Sequence, residues 1–341
     1  MGNSRRSPPE TAIDLPLQFL AALARAPISG KTLLLAYSGG MDSTALLHMM
    51  RAVADRFNFR LSAVHVNHGL QPEADDWVKH CQAVAQAWQI PLEVMRVRIS
   101  SRRGQGLEAA ARQSRHTALS QCARRVGASA VLLAHHQDDQ AETLLHQILR
   151  GTGLAGASAM REDRCSSELR LLRPLLAVSR AWIKGYAQRH HLSWIEDPSN
   201  QSTAITRNFI RHVILPEIQT RFPRASKNLA GAASRFSESL DLINTLAEID
   251  LGGRAAQFPL PVDMLKMLSE ARARNVLRWV CVRTQIPIPS QERLDELLRQ
   301  MCTAAMDRHP EQTWGEWHFY RYRSQLCVEH RVQPTDLCAS Y

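Results

Sequence analysis

Up to Pro216 the chain alternates short apolar runs with longer stretches whose apolar residues recur at helical spacing. A lead-in helix is expected near Leu15 to Arg25. Strands are expected at Thr32 to Tyr37, Leu61 to Val66, Leu92 to Ile99, Ala130 to Ala134 and Leu169 to Leu172. Helices are expected between them at Asp42 to Arg56, Ala74 to Trp88, Leu107 to Val126, Asp138 to Leu149 and Ser179 to His190. Strands alternating with helices of this length predict an α/β fold, a parallel sheet covered by helices on both faces. Beyond Pro216 helical spacing dominates, at Arg224 to Ala247, Met264 to Arg283 and Glu292 to Met301, before a partly alternating stretch, "WHFYRYRSQLCVE". That change predicts a mainly helical second domain, with a boundary near residues 216 to 224. The expected organisation is an arm and lead-in helix over 1–28, a catalytic domain over 29–216, the helical domain over 217–330 and a tail over 331–341.

Composition narrows the partners. The formal net charge of +10 points to a polyanion, with nucleic acid first among the candidates. Seven scattered cysteines form no C-x-x-C pair, which fits a reducing, cytoplasmic setting. No apolar run approaches a membrane span, so no membrane partner is expected. A second copy of the chain, as a homodimer, stays open.

In open parallel sheets ligands bind outside the carboxyl ends of the strands, and the chemically distinctive residues of this chain fall there. After the first strand comes Ser38-Gly39-Gly40-Met41-Asp42-Ser43. Glycines let backbone N–H groups converge on one point, the following helix adds its unpaired N–H groups, and Ser38 and Ser43 add hydroxyls. This is an anion cradle, most simply for phosphate. It has neither the G-x-x-x-x-G-K-[ST] pattern nor G-x-G-x-x-G, which excludes a Walker loop and a dinucleotide fingerprint. A carboxylate beside bound phosphate is repelled unless a cation lies between them, so Asp42 implies Mg²⁺.

The second strand ends in "HVNHGL", with His65, Asn67 and His68. Metal binding, contact with a base or substrate, and simple loop structure are all compatible with that trio. On the next long helix Glu108, Arg112 and Arg115 share one face, and Arg102 to Arg125 holds six arginines against one acid. The fourth strand leads to "AHHQDDQAET", which puts Asp138 and Glu142 on one helical face with Asp139 beside them. Acids there can cap the helix, hold Mg²⁺ or receive a cationic substrate. Glycines 151, 153 and 156 then predict a flexible closing loop. Arg207, Arg211, Arg221 and Arg224 make the stretch from Ile205 to Lys227 basic, a candidate seat for RNA phosphates.

"SGGMDS" resembles the pyrophosphate-binding loop of the N-type ATP pyrophosphatases, which cut ATP between the α and β phosphates. With "HVNHGL", "EAAARQSR", "HHQDDQAET", "RGTGLAG", "RPLL", "WIEDPSN" and "TRNFIR", the chain resembles one branch, the tRNA(Ile)-lysidine synthetases. The likeness is dense from Thr32 to Pro216 and weaker to about Glu329. One departure is His116, where many members have Tyr. Longer members carry another C-terminal domain, whereas this sequence stops shortly after "FYRYRSQL".

The resemblance implies an adenine-nucleotide α-hydrolase-like sheet and a ligase that uses ATP, Mg²⁺, free L-lysine and the isoleucine tRNA with a CAU anticodon. Ser38, Gly39, Gly40, Met41 and Ser43 would hold the departing pyrophosphate and Asp42 the metal ion. Arg112 or Arg115 would neutralise the α-phosphate. Asp138 and Glu142 would bind and deprotonate lysine, with His65, Asn67, His68, Glu108, Asp139 and the four later arginines as substrate or tRNA contacts. Rival readings are a tRNA thiolase, opposed by the missing C-x-x-C, a small-molecule amidating enzyme, and a non-catalytic RNA-binding module.

Overall fold

The computed structural model describes residues 14–69, 71–97, 107–165, 169–305 and 308–331. Contacts divide the chain into two units, Met1–Ser237 and Glu238–Tyr341.

The first unit begins with α1 (Leu17–Arg25) and is built on β1 (Lys31–Ala36). Leu33 and Leu35 of β1 enter one apolar core, while Leu34 enters another on the opposite face. This is the period of two of a strand buried on both sides. The first core holds α1, α2 (Met41–Val53), Cys81 of α3 (Ala74–Ala87) and Ile183 and Tyr186 of α7 (Arg180–Arg189). The second packs Leu119, Cys122 and Ala123 of α4 (Leu107–Arg125) onto Val64, Val131 and Leu171.

Those last three residues belong to β2 (Phe59–Asn67), β4 (Ala130–Leu132) and β6 (Arg170–Leu172). With β3 (Leu92–Arg96) and β5 (Asp163–Cys165) they complete a sheet of order β3-β2-β1-β4-β6-β5. All neighbours are parallel except β5, which runs antiparallel to β6 with Asp163 opposite Leu172. The sequence pattern did not predict β5, because Asp-Arg-Cys at an exposed edge has no apolar run or alternation to announce it. Winding runs outward from β1 through β2 to β3, and then from β4 to β6 on the other side. The switch point therefore lies between the carboxyl ends of β1 and β4.

After β4 come α5 (Gln137–Leu149) and the short α6 (Leu154–Ala157). The stretch that holds glycines 151, 153 and 156 leads into α6, and the residues just beyond are held to α5. Gln140 donates to the Met160 carbonyl at 2.8 Å and accepts from its N–H at 2.8 Å, while Ala157 packs with Leu144 and Ala233.

A helical run then passes through α8 (Thr206–Phe209), a π-helical stretch Ile210–Ile214 and α9 (Leu215–Arg221). Pro216 has no N–H for the carbonyl four residues back, and its ring crowds that carbonyl. The widened turn, in which Leu215 N–H reaches the Ile210 carbonyl, accommodates it without breaking the run. The next helix, α10 (Ala225–Asp250), contains the division between the units at Ser237/Glu238. That point lies beyond the stretch 216–224 marked by the change of sequence texture. Ile210 and Leu215 pack on Ala141 of α5, and Leu229 and Ala233 continue that contact, so these turns stay with the first unit.

The second unit comprises the end of α10, β7 (Leu260–Pro261), α11 (Val262–Lys266), α12 (Glu270–Arg283), α13 (Gln291–Thr303), β8 (Glu311–Trp314), β9 (Trp317–Tyr322) and β10 (Gln325–His330). The single helix expected over Met264 to Arg283 is two, with Ser269 at the N-cap of α12. The alternating "WHFYRYRSQLCVE" forms the centre of an antiparallel sheet of order β7-β10-β9-β8. Val276, Val280, Leu294, Leu297, Phe319 and Leu326 fill its core. Among the described residues no helix is long and apolar enough to cross a membrane.

Candidate active site

The loop after β1 is shaped by close packing. Gly39 has φ +82°, and a Cβ there would lie 2.5 Å from Ile195 Cδ1 and 2.9 Å from Cys81 Sγ, so only glycine fits. Ile195 N–H donates to the Gly39 carbonyl at 2.9 Å, which fastens the loop to the segment "WIEDP". Gly40 is the N-cap of α2, and no side chain caps that helix, so its first-turn N–H groups are offered to a ligand. The Ser38 and Ser43 hydroxyls meet at 3.0 Å beside them.

Asp42 stands on the first turn of α2. Its Oδ1 is buried without a hydrogen-bond partner, and its Oδ2 lies 3.6 Å from His136 Nε2. A desolvated carboxylate oxygen with no donor is costly unless a ligand completes it. Among the described residues no group of three or more His, Cys, Asp or Glu side chains could hold a metal ion. Mg²⁺ commonly takes one or two carboxylates and completes its shell with phosphate oxygens and water, so Asp42 fits such an ion at a phosphate loop.

His136, at the N-cap of α5, links this loop to the acids. Its Nε2 is 3.4 Å from Asp139 Oδ2, while its Nδ1 accepts from the Asp139 N–H at 3.3 Å. Burial works against its charge, but contact with Asp42 and the nearby Asp139 and Asp138 carboxylates outweigh that and raise its pKa. Asp139 returns the capping bond, accepting from His136 N–H at 2.9 Å. Burial tends to raise the Asp139 pKa, yet His136, Arg207 and His135 together hold it below the ordinary value.

Asp139 and Glu142 share two arginines. Arg211 donates to Glu142 at 2.7 and 2.9 Å and to Asp139 at 2.9 Å. Arg207 donates more loosely, at 3.2 Å to Glu142 and 3.1 Å to Asp139. The Glu142 side chain is only 2% exposed. Asp138, expected to work with Glu142, instead accepts the Arg180 N–H at 2.8 Å and caps the start of α7. The helical pattern placed Asp138 and Glu142 on one face, but tertiary contacts give them different partners. Arg207 and Arg211, expected as RNA contacts, turn inward to these acids.

Arg112 and Arg115 extend the site from α4. Arg115 is exposed, and desolvation by the surrounding protein, then Arg112 and Arg207, lower its pKa. Arg173 is buried after β6, where it donates to His135 Nδ1 at 3.2 Å and to the Arg161 carbonyl at 2.7 Å. Burial, then the charges of Arg164 and Arg112, lower its pKa to about 10, while burial is the main cause that takes His135 down to about 4.

The "HVNH" trio divides. His65 is buried against the Tyr37 carbonyl at 3.0 Å and Cys81 Sγ at 3.4 Å, a bond between neighbouring strands and α3. Asn67 accepts from Gly69 N–H and donates to Asp75, shaping the turn. His68 keeps a buried Nδ1 without a partner, and burial, then Arg115 and His65, depress its pKa. Arg221 and Arg224 are exposed and form no ion pair among the described residues. The side chain of Glu108 lies outside the described ones. Sequence reasoning passed over His136, Gln140 and Arg173 as site residues, although each stands in a quoted motif or beside a strand end.

The PP-loop domain family matches residues 16–218, and the TilS substrate binding domain family matches residues 260–327. The chain is 41% identical over 324 residues to a tRNA(Ile)-lysidine synthase of Alkalilimnicola ehrlichii, covering 95% of this chain and 71% of that protein. It is 38% identical over 312 residues to the corresponding protein of Nitrosomonas europaea, covering 91% and 67%. Among solved structures it is similar in fold to the U34-tRNA thiolase NcsA of Methanococcus maripaludis, with a TM-score of 0.56 at 15% identity over 65% of this chain and 76% of that one.

Proposed function

The chain belongs to the tRNA(Ile)-lysidine synthase family, and on that premise we propose how its strand-end site performs ATP-dependent lysidine formation on tRNA(Ile). The substrate base is the wobble cytidine of a CAU anticodon. In the first step its O2 attacks the α-phosphate of ATP, the bond to the β-phosphate breaks, and pyrophosphate leaves. In the second, the ε-amine of lysine attacks C2 of the adenylated base, the C2–O bond breaks, and AMP departs.

The N–H groups of the loop, with Ser38 and Ser43, hold the leaving pyrophosphate where its charge develops. Asp42 holds Mg²⁺, which neutralises charge on the phosphates when bound. Arg112 and Arg115 face the α-phosphate. Asp139 and Glu142 receive the lysine ammonium, and a carboxylate of that pair accepts the proton the amine must lose before it attacks. Asp138, bonded to α7, supports the helix that carries them. The observation that carries this reading is His136, whose Nε2 has Asp42 at 3.6 Å and Asp139 at 3.4 Å. One imidazole thus joins the phosphate loop to the acid pair.

For tRNA, support comes from the outer surface of the run 205–224. Ile205, Phe209 and Val213 are exposed, and so, further along the run, are Arg221 and Arg224, a combination suited to bases and phosphates together. The six described cysteines are all free, in keeping with a cytoplasmic enzyme.

The test is ATP-dependent incorporation of labelled lysine into unmodified CAU-anticodon isoleucine and methionine tRNA transcripts. Incorporation into the isoleucine species alone supports the assignment. Pyrophosphate release without incorporation keeps the ATP chemistry and rejects lysine as the nucleophile.

A further inference from the structure

The acid pair that would receive an amine is already occupied. Five N–H···O contacts from Arg207 and Arg211 reach Asp139 and Glu142, and the remaining Asp139 oxygen takes the His136 N–H. Two carboxylates and two guanidiniums form a neutral group, which has no call for a further cation.

The two arginines are not equivalent. Arg211 makes three contacts of 2.7 to 2.9 Å, its side chain is 23% exposed, and its π-helical stretch presses Ile210 against Ala141 of α5. Arg207 makes two contacts of 3.1 and 3.2 Å, is 36% exposed, and lies within electrostatic reach of Arg115 and His135. Losing Arg207 alone would leave Asp139, Glu142 and Arg211 with a net charge of −1, the match for one ammonium.

We infer that Arg207 is a placeholder, occupying Asp139 and Glu142 in the free enzyme and yielding them to the substrate ammonium when phosphate arriving between Arg115 and Asp42 draws its guanidinium away. The inference rests on the function proposed above and deepens it. Arg207 is a positioning residue whose two alternative partners impose an order, nucleotide first and amine second. The exchange replaces one cation by another on the same carboxylates, so the acids are never left buried and unpaired. It also keeps the acid pair closed to amines until an electrophile is being prepared. The coupling follows from differential binding alone, since a ligand shifts an equilibrium only through contacts it makes in one state and not the other.

The measurement is equilibrium binding of labelled L-lysine to the full chain with Mg²⁺, with and without an ATP analogue carrying a methylene between its α and β phosphorus atoms. For the native enzyme the analogue should tighten lysine binding by roughly tenfold or more, the usual size of such couplings. Arg207→Gln should bind lysine without the analogue about as tightly as the native enzyme does with it, and respond to the analogue by less than about twofold. Arg207→Lys, which keeps a cation within reach of the acids, should retain most of the coupling. Equal lysine affinity of the native enzyme in both states would overturn the inference, as would loss of lysine binding by Arg207→Gln in a protein whose thermal transition is unchanged. Pyrophosphate release from ATP and tRNA without lysine separates the two readings. Its presence keeps the proposed adenylation whatever becomes of the placeholder, and its absence removes the reaction in which the placeholder would act.

Discussion

The carboxyl edge of the parallel sheet and the junction of α13 with the antiparallel sheet both bury arginine, but they direct its donors differently. In the second unit Arg321 donates to the Met301 and Ala304 carbonyls at 3.3 and 2.7 Å, closing the end of α13. The fully buried Asp250 side chain is held by Arg272. Arg321 thus completes the end of a helix, and Asp250 is matched by one arginine that takes both its oxygens. At the sheet edge of the first unit Arg207 and Arg211 go to carboxylates, Arg173 goes to an imidazole and a carbonyl, and Asp42 Oδ1 has no partner at all. A buried charge is a structural closure when it ends on an orphan backbone group. It becomes a working group when it ends on another side chain that a ligand can replace.

The strongest challenge to that contrast is Asp42→Asn. It should lower pyrophosphate release by roughly 10³-fold, as losing a group aimed at developing charge does, while tRNA affinity measured by filter binding stays within about twofold. Near-normal turnover would remove Asp42 from the metal site. Next comes a pair of variants, one in each region. Arg211→Gln leaves the buried Glu142 with only the longer Arg207 bond, at 3.2 Å, and should cost up to about 3–5 kcal/mol together with activity. Arg321→Met strands two carbonyls and should cost about 1–3 kcal/mol while leaving turnover per folded molecule intact. Urea unfolding alongside lysine incorporation checks both, and a turnover defect in Arg321→Met would blur the distinction.

Smaller is the combined change Arg221→Gln and Arg224→Gln. Binding to tRNA should weaken and the slope of log affinity against log salt should flatten by roughly 2, with the KM for lysine unmoved. An unchanged salt slope would take both residues off the RNA surface.

The mildest expectation concerns pH. Burial is the main cause of the lowered pKa values of His48, His65, His68 and His135, with His48 and His135 reaching about 4. Between the ordinary histidine value and that level the unfolded chain binds protons that the folded chain refuses, so stability falls as pH drops through the window. His136 acts in the opposite sense, its raised pKa favouring the folded state at the acid end. With His190, whose pKa burial also lowers, five groups against one should leave a lower urea midpoint at pH 5 than at pH 7, a difference that His48→Gln should reduce. A higher midpoint at pH 5 would reverse the assignment.

Much of the first unit was legible in the chain. Apolar runs such as Leu33-Leu34-Leu35 mark strands buried on both faces, and Ser38-Gly39-Gly40 after the first of them marks an anion cradle. Both follow from local rules of spacing and backbone freedom. The antiparallel β5 was not legible, because a polar edge strand is defined by its partner and not by its own composition. The continuous helix through Pro216 was missed for a related reason, since whether a proline breaks a helix depends on whether the next turn can widen and still pack on α5.

Sequence by itself therefore determined most of the order of elements in the first unit, the glycine turn after its first strand and the family to which its motifs point. Which acid holds which cation was decided only by the tertiary structure. Helical spacing put Asp138 and Glu142 on one face, yet Asp138 ended on the first N–H of α7, and Asp139 and Glu142 ended on Arg207 and Arg211, more than sixty residues away. Local periodicity sets which side chains leave a helix together. The partners of a buried charge are chosen by whatever distant segment the fold brings within about 3 Å of it, because at that range hydrogen bonding and the desolvation it offsets outweigh any local preference.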